Sequence, residues 1–387
     1  MSTATEMSSF LSGKFHHVDV DRIEKELLEL WEQAGKAEAD GEPSVTRACS
    51  MNFILCTSSE ADVGADMLED ITLKHPCRAI LAHAIQSNDE HLEAFVTARC
   101  RLVSGKKSQI CCEQINVRWQ GQGTRPLASV VLPLRIADLP TWLWWHKTRP
   151  AKEMIGPFLP FIDRLIVDTA DMNGQLAHLF DLKDVFYRLD DDTVLYDLNW
   201  TRLLPWRQSV ARAFHPGRGL LSIEDIDLID KIDIEVSDGQ AGVSIQALLM
   251  VAWLATRLSW KFVKGGRQSK DEVAIEFSLG RRRIHVVIRA SKCQSASGSL
   301  NRMALEFVGN PDERLVVSQD CTAPGLLVRI SGKDRNGKDA KQEGNGGGGT
   351  TGDGAADAVI ETLENPLSGE IYEELLELVC EMAASVR

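Results

Sequence analysis

The sequence lacks the short motifs that mark the common catalytic and cofactor-binding classes. It has no GxxxxGK[ST] phosphate loop, no GxGxxG turn after a strand-like segment and no GxSxG nucleophile motif. These absences argue against the familiar nucleotide-dependent enzymes and against a serine hydrolase. No group of histidines and cysteines has the spacing of a zinc site. We therefore predict no catalytic residue, no cofactor and no metal.

The sequence contains nine cysteines but no CxxC pair. An odd number of scattered cysteines is typical of chains whose thiols stay reduced in the cytosol. Cys111 and Cys112 are neighbours whose side chains would point to opposite faces of a strand, which argues against joint binding of one metal ion. We therefore interpret the cysteines as mostly buried free thiols and predict a cytoplasmic protein.

Long apolar runs and positive charge are also scarce. The most apolar stretch, residues 243–260, contains Ser244, Gln246, Thr256 and Arg257 and is too polar for a lipid-exposed span. No apolar run follows the first residues, so we expect no secretory signal. The 43 lysines and arginines against 56 aspartates and glutamates leave a net charge of −13, whereas nucleic-acid binding usually needs a basic face. We predict neither a membrane nor a nucleic-acid partner.

Strand-like and helix-like segments alternate along the chain. A length of 387 residues is large for one core. The alternation is typical of α/β proteins, and we predict two α/β domains with mixed sheets flanked by helices, plus a tethered C-terminal helix. The sequence HPGRG at residues 215–219 breaks the pattern and marks a boundary. The predicted divisions are a disordered N-terminus (1–18), an N-terminal α/β domain (19–216), a C-terminal α/β domain (217–331), a Gly-rich flexible linker (332–354) and a C-terminal helical segment (355–387).

The periodicity of apolar residues predicts the individual elements. An apolar stripe in residues 370–386 predicts a last helix, which we expect to dock on its own domain rather than on a partner. Helices are also predicted at 60–73, 126–134, 173–190, 243–260 and 355–363. Strands are predicted at 48–57, 77–85, 93–102, 109–119, 141–145, 164–168, 226–236, 273–279, 283–290, 303–308, 314–317 and 326–330.

Five of the nine tryptophans lie in two short stretches, residues 139–145 (LPTWLWW) and residues 197–207 (DLNWTRLLPWR). A single Trp belongs more often to a core than to an interface. Adjacent tryptophans on a strand face opposite ways, however, so one of them must leave a core that covers a single face. Trp and Arg are also the types most enriched where one protein binds another. We therefore predict a partner-binding face made of Trp144, Trp145, Asn199, Trp200, Arg202, Trp206 and Arg207.

Two carboxylates offer a catalytic alternative to the partner-binding interpretation. Asp168 and Asp171 follow a strand-like segment, a place where α/β proteins often bind ligands, and Arg164 lies nearby. They could form an acid/base pair. They could equally cap the following helix, which needs only one local acceptor and is the favoured interpretation. The alternative function is an α/β enzyme or sensor that acts on a phosphorylated sugar.

Six motifs, taken together in the order in which they occur, make the chain similar to a known family. They are RACSMN (47–52), HPCRAI (75–80), CEQI (112–115), LPTWLWW (139–145), RLIVDT (164–169) and DLNWTRLLPWR (197–207). The chain resembles the OpcA family, the glucose-6-phosphate dehydrogenase assembly proteins of cyanobacteria and actinobacteria. The resemblance runs from about residue 20 to about residue 335 and is strongest over the first two hundred residues.

The resemblance implies a non-catalytic protein that binds glucose-6-phosphate dehydrogenase, promotes its active oligomer and activates it allosterically in the oxidative pentose phosphate pathway. In cyanobacterial members this control is linked to thioredoxin, so the resemblance also implies a thioredoxin partner and a responsive cysteine. Cys380, in the predicted terminal helix, is the most exposed-looking candidate. No second cysteine lies near it in the sequence, so a disulfide there would have to be distant or intermolecular.

Overall fold

The computed structural model is mixed α/β, with two sheets flanked by helices, which confirms the predicted fold class. It describes residues 16–39, 44–58, 61–102, 108–147, 150–172, 176–217, 221–237, 243–291, 298–319, 326–333, 339–346, 354–365 and 368–386. None of the helices in these ranges combines the length and the apolar character needed to cross a membrane.

The chain divides into two compact units, each assembled from three segments. Unit 1 comprises Met1–Asp168, Asp184–Tyr196 and Ala355–Pro366, and unit 2 comprises Thr169–Lys183, Asp197–Gly354 and Leu367–Arg387. This division differs from the single boundary expected at residue 216. The difference arises because residues 169–183 and the helices that follow Asp197 belong with the second sheet, although they precede the Gly-rich break in the sequence.

Within the described residues, unit 1 is built on a nine-stranded sheet. Its strands are β1 (His16–Val18), β2 (Ser44–Arg47), β3 (Asn52–Thr57), β4 (Arg78–Gln86), β5 (His91–Leu102), β6 (Ser108–Gly121), β7 (Thr141–His146), β8 (Arg164–Val167) and β9 (Val194–Asp197). Their order is β1-β5-β6-β4-β3-β7-β8-β9, and β2 also pairs with β6. The helices of this unit that precede Asp168 in the described residues are α1 (Ile23–Ala39), α2 (Ala61–Lys74), α3 (Arg125–Val131) and α4 (Lys152–Ile155).

The centre of this sheet is parallel and fully buried. β3 pairs in parallel with β4 and β7, and β7 pairs in parallel with β8. Every residue of β3 and β7 is buried. Because successive side chains of a strand point to opposite faces, both faces of these strands are covered. The apolar runs NFILC and WLWW therefore belong to a core with two sides.

Unit 2 is built on an eight-stranded sheet in the described residues. Its strands are β10 (Ile229–Ser237), β11 (Lys261–Ser269), β12 (Glu272–Leu279), β13 (Arg282–Ser291), β14 (Leu300–Phe307), β15 (Asn310–Gln319), β16 (Leu326–Lys333) and β17 (Asp339–Gly346). Their order is β11-β12-β13-β10-β14-β15-β16-β17. The remaining α-helices of the described residues are α5 (Leu176–Phe186), α6 (Leu198–Arg202), α7 (Leu204–Ala213), α8 (Ile245–Arg257), α9 (Ala355–Glu364) and α10 (Ser368–Ser385).

The two segments expected to lack structure contain strands where the structure describes them. Residues 16–18 of the predicted disordered N-terminus form β1, which pairs with β5. Residues 339–346 of the predicted flexible linker form β17, which pairs with β16. Strand pairing uses backbone groups, so a polar, Gly-rich sequence can complete a sheet edge. Residues 332 and 333 of the predicted linker end β16, and the residues up to 15, at 334–338 and at 347–353 lie outside the described residues.

The predicted docking of the last helix on its own domain is confirmed. Helix α10 packs on α8 and on the edge strand β11 within unit 2. Its apolar stripe is buried at Leu375, Val379 and Met382. Helix α9, at the other end of this segment, packs on α2 within unit 1. The C-terminal helical segment is therefore divided between the two units.

Three of the sequence motifs meet at one buried carboxylate in unit 1. Glu113 is 3% exposed. It accepts hydrogen bonds from Arg78 Nε at 2.8 Å, from Arg47 Nη2 at 3.0 Å and from Trp31 Nε1 at 2.5 Å. Arg78 also pairs with Glu24 on α1. This network joins α1, β2, β4 and β6, so it fixes the first helix against the sheet.

We predict that Glu113→Gln lowers the free energy of unfolding by about 3 kcal/mol, because the change leaves buried Arg78 without its main counter-charge. The measurement is chemical denaturation followed by tryptophan fluorescence. The matched control is Glu93→Gln, which removes a partly exposed carboxylate paired with His91 and Arg118 and should cost no more than about 1 kcal/mol. Equal losses in the two variants would contradict this role for Glu113.

Candidate functional site

The first predicted contact pair, Trp144 and Trp145, lies inside unit 1. The two side chains are 0% and 2% exposed. The Trp144 ring centroid lies 4.9 Å from that of His146, and the Trp145 ring meets Phe158 edge-on at 6.0 Å. The expectation that one of these tryptophans leaves the core is wrong, because β7 is an interior strand with both of its faces covered.

The second motif forms two consecutive helices in unit 2. The carboxylate of Asp197 caps α6 by accepting from Asn199 N at 2.9 Å. Trp200, on α6, is 1% exposed, and the guanidinium carbon of Arg207, on α7, lies 3.4 Å from its ring centroid. Arg207 also donates from Nη2 to the Trp200 carbonyl at 3.3 Å. The Trp–Arg pair therefore joins the two helices internally.

Asn199 belongs to a buried polar network rather than to a surface. Its Nδ2 donates to Thr169 Oγ1 at 3.1 Å, and its Oδ1 accepts from Gln246 at 2.8 Å. Thr169 in turn donates to Asp197 from its backbone N at 3.0 Å and from Oγ1 at 2.6 Å. The network connects three separated segments of unit 2, namely the 169–172 turn, α6 and α8. The RLIVDT and DLNW motifs supply most of it.

The structure corrects the prediction of an exposed aromatic and arginine face. Trp206 is 6% exposed and Arg207 is 8% exposed, and Arg202 alone of the seven predicted residues is not buried. The reason is the same in both units. These large side chains pack next to buried polar groups and fill the interior around them. Six of the seven predicted side chains are therefore not available on the surface of the folded chain, and Arg202 remains partly accessible.

The cysteines also depart from expectation. Cys380 on α10 is 2% exposed and its Sγ lies 3.9 Å from the Leu179 carbonyl, so it is not the exposed thiol that was predicted. Cys111 is not free, since it forms a disulfide with Cys100. These two residues lie directly opposite each other on β5 and β6. The remaining five cysteines of the described structure with free thiols are largely buried, as predicted.

Polar groups also gather at the carboxyl ends of the parallel strands in unit 1, where α/β proteins often bind ligands. Thr57 ends β3 and His146 ends β7, and their Oγ1 and Nδ1 atoms are 3.2 Å apart. Burial, and to a smaller extent the charge of Lys147, lowers the pKa of His146 to about 4, while the Asp168 charge opposes this. The imidazole is therefore neutral near pH 7, and with such a low pKa it is a weak general base.

The proposed acid/base carboxylates differ in their environments. Asp168 is 6% exposed, whereas Asp171 is exposed and lies in a short 3-10 turn over Thr169–Met172. Arg164 donates to the backbone carbonyls of Asp163 at 2.8 Å and Asp192 at 3.2 Å. Its guanidinium thus holds two loops of unit 1 together. This structural role explains the arginine without a bound phosphate.

A surface groove in unit 1 was not predicted. It has a volume of about 520 Å³ and is lined by two arginines, Arg125 and Arg135, and by apolar residues that include Phe161. Phe161 is 48% exposed, which is unusual for a phenylalanine. The sequence does carry a signal here, because residues 126–160 contain six prolines, of which positions 133 and 157 line the groove.

We predict that the stability of this protein falls as the pH drops from about 6.5 to about 4, in part through His146. Because the folded-state pKa of His146 lies below the ordinary value, the unfolded chain takes up the proton first. The stabilisation contributed by the neutral imidazole is fully present above about pH 6.5. About 3 kcal/mol of this stabilisation is lost by pH 4. Denaturation of the wild type and of His146→Gln across this range measures it. The variant should lose less stability on acidification, and parallel curves would contradict the assignment.

Comparison with known proteins connects both parts of the chain to one family. Residues 68–184 match the family model described as the glucose-6-phosphate dehydrogenase subunit N-terminal domain, and residues 193–376 match the one described as its C-terminal domain. The relative from Nostoc punctiforme named "Putative OxPP cycle protein OpcA" is 30% identical over 205 residues, which cover 52% of this chain and 42% of that protein. The Synechocystis protein of the same name is 30% identical over 200 residues, 51% of this chain and 40% of that protein. The matched part thus spans less than half the length of these relatives.

Among solved structures, the chain is similar to glucose-6-phosphate 1-dehydrogenase from Mycobacterium avium, with a TM-score of 0.48 and 11% sequence identity over 87% of this chain and 94% of that chain. The two family models together cover most of the sequence, including five of the six motifs named above; RACSMN, at residues 47–52, lies outside the matched ranges. This chain belongs to the OpcA family of glucose-6-phosphate dehydrogenase assembly proteins.

Proposed function

We propose that this chain is a cytoplasmic, non-catalytic partner of glucose-6-phosphate dehydrogenase in the oxidative pentose phosphate pathway. The observation that carries the proposal is the match of two successive regions to family models described as the N- and C-terminal domains of a glucose-6-phosphate dehydrogenase subunit. The curated relatives named as OxPP cycle proteins support the pathway. In this proposal the chain promotes the active oligomer of the dehydrogenase and raises its activity allosterically.

The proposed activation follows from linkage. A protein that binds the active form of the dehydrogenase more tightly than the inactive form shifts the population toward the active form. A tenfold rise in apparent substrate affinity requires about 1.4 kcal/mol of differential binding. An ordinary protein interface with two or three well-packed contacts supplies that amount. No chemical step by this chain is needed.

The alternative, an enzyme or sensor for a phosphorylated sugar, receives less support from the site. Such a function needs a poised acid or base and an arginine available for phosphate. Asp168 is buried, His146 has a pKa of about 4, and Arg164 donates to two backbone carbonyls. These features are better explained by the packing of the strand ends in unit 1.

We propose that any redox control acts through Cys100 and Cys111 rather than through Cys380. A dithiol such as reduced thioredoxin would reduce the Cys100–Cys111 bond to two thiols and would itself become a disulfide, a balanced two-electron exchange. Cys111 lies two residues from Glu113 on β6 and is paired with Arg47 in the β2 ladder. Opening the bond therefore removes a covalent link between β5 and β6, next to the network that holds α1, β2 and the sheet together.

The activator proposal predicts no NADPH formation when the purified chain is mixed with glucose 6-phosphate and NADP⁺ alone. Addition of the chain to the dehydrogenase from the same organism should raise the rate at subsaturating substrate, by about tenfold if the coupling is about 1.4 kcal/mol. Mass photometry of the mixture should detect a complex heavier than either protein, and heat-denatured chain is the control. Turnover by the chain alone would favour the enzyme alternative. Absence of both a complex and a rate change would contradict the proposal.

The redox proposal predicts that dithiothreitol or reduced thioredoxin changes the activation by wild-type chain at least about twofold. The Cys380→Ser variant should respond as the wild type does, because its thiol is buried. The Cys100→Ser/Cys111→Ser double variant should be insensitive, because the exchange has no disulfide to act on. Mass spectrometry of alkylated peptides identifies the bond that opens. A response that persists in the double variant would refute the assignment.

A further inference from the structure

The groove on unit 1 has the features of a docking site. We infer that it receives a segment of the partner dehydrogenase in which an apolar side chain lies next to a carboxylate. This inference rests on the proposed function. It places the contact with the dehydrogenase on an accessible surface instead of on the buried tryptophan motifs.

The shape and rigidity of the groove suit a bound segment. Its volume of about 520 Å³ falls in the range of ordinary ligand sites. Two separate segments of unit 1 form it: residues 125–135, which include α3, and residues 157–161. Prolines at positions 133 and 157 restrict the backbone of both walls. A wall that is already rigid loses little conformational entropy on binding.

Most of the lining residues are apolar, and one of them is a large exposed aromatic ring. Leu132, Pro133 and Pro157 line the groove together with Phe161, which is 48% exposed. The guanidinium carbon of Arg135 lies 5.7 Å from the centre of the Phe161 ring. Exposed aromatic rings stacked with Arg are typical of the few residues that dominate binding energy at interfaces. An apolar side chain of the occupant would cover this ring.

The charge of the groove indicates the second chemical group of the bound segment. Neither Arg125 nor Arg135 forms an ion pair with a carboxylate in the described structure. Arg135 donates to the carbonyls of Leu132 and Phe161 and to Thr141, so it is held in place without being neutralised. Two such arginines on one groove stand out in a chain with a net charge of −13. The complementary group is a carboxylate, which an Arg binds through two parallel hydrogen bonds.

A protein segment fits this combination better than a free anion. A small phosphate or carboxylate would satisfy the arginines but would leave the apolar lining in water. A segment with an apolar residue beside Asp or Glu satisfies both parts. The occupant is therefore a partner surface rather than a metabolite.

The experiment measures the affinity of the intact dehydrogenase for two single variants of the full chain, Phe161→Ala and Arg125→Glu. Both positions are exposed, and neither residue holds the fold together, whereas Arg135 is left unchanged because it does. The matched controls are Tyr187→Ala and Arg188→Glu, which remove an exposed ring and reverse an exposed charge elsewhere on unit 1. Biolayer interferometry at roughly 50 and 300 mM NaCl gives the dissociation constants and their salt dependence. Circular dichroism melting checks that all variants fold.

We expect both groove variants to weaken binding at least about tenfold and the controls to change it less than about twofold. Arg125→Glu should also reduce the salt dependence. If the wild type binds and the groove variants bind equally well, the groove inference is wrong while the proposed function stands. If the wild type does not bind at all, the proposed function fails and the inference falls with it. If the groove variants instead dissociate a self-associated form of the chain and leave dehydrogenase affinity unchanged, the occupant is a second copy and the inference is overturned.

Discussion

A carboxylate that is removed from water must be met by hydrogen-bond donors, and this constraint organises both units of the protein. In unit 1 the carboxylate is Glu113, which binds Arg78, Arg47 and Trp31. In unit 2 it is Asp197, which accepts from Thr169 and Asn199. Apart from Asn199, which follows Asp197 by two residues, the donors lie at least 28 residues from their carboxylate in the sequence. Each carboxylate therefore joins strands and helices that are distant in the sequence.

This constraint explains why the most recognisable motifs of the chain are internal. RACSMN, HPCRAI and CEQI supply Arg47, Arg78 and Glu113, while RLIVDT and DLNW supply Thr169, Asp197 and Asn199. The aromatic rings next to them fill the space that the buried polar groups leave, as Trp200 does beneath Arg207. The motifs thus encode the fold. The residues that line the groove, among them Phe161 and Arg125, lie outside these motifs.

The sequence predicts the fold well where a pattern is local. The helix expected at 60–73 is observed at Ala61–Lys74, and the strand expected at 141–145 is observed at Thr141–His146. The edge strand Lys261–Ser269 was missed because it has no apolar alternation and is held by backbone pairing with β12. The disulfide was missed because it depends on register: Cys100 and Cys111 are direct partners in the antiparallel pairing of β5 and β6.

The candidate site could not be predicted in the same way. The exposure of Trp144 and Trp145 depends on whether helices cover one face of β7 or both, which is a tertiary property. The most direct test of the account is hydroxyl-radical footprinting of the chain, free and bound to the dehydrogenase. We expect Trp144, Trp145, Trp200 and Trp206 to resist oxidation in both states, and Phe161 to be oxidised in the free chain and protected in the complex. Oxidation of those tryptophans in the free chain, with protection on binding, would contradict this expectation.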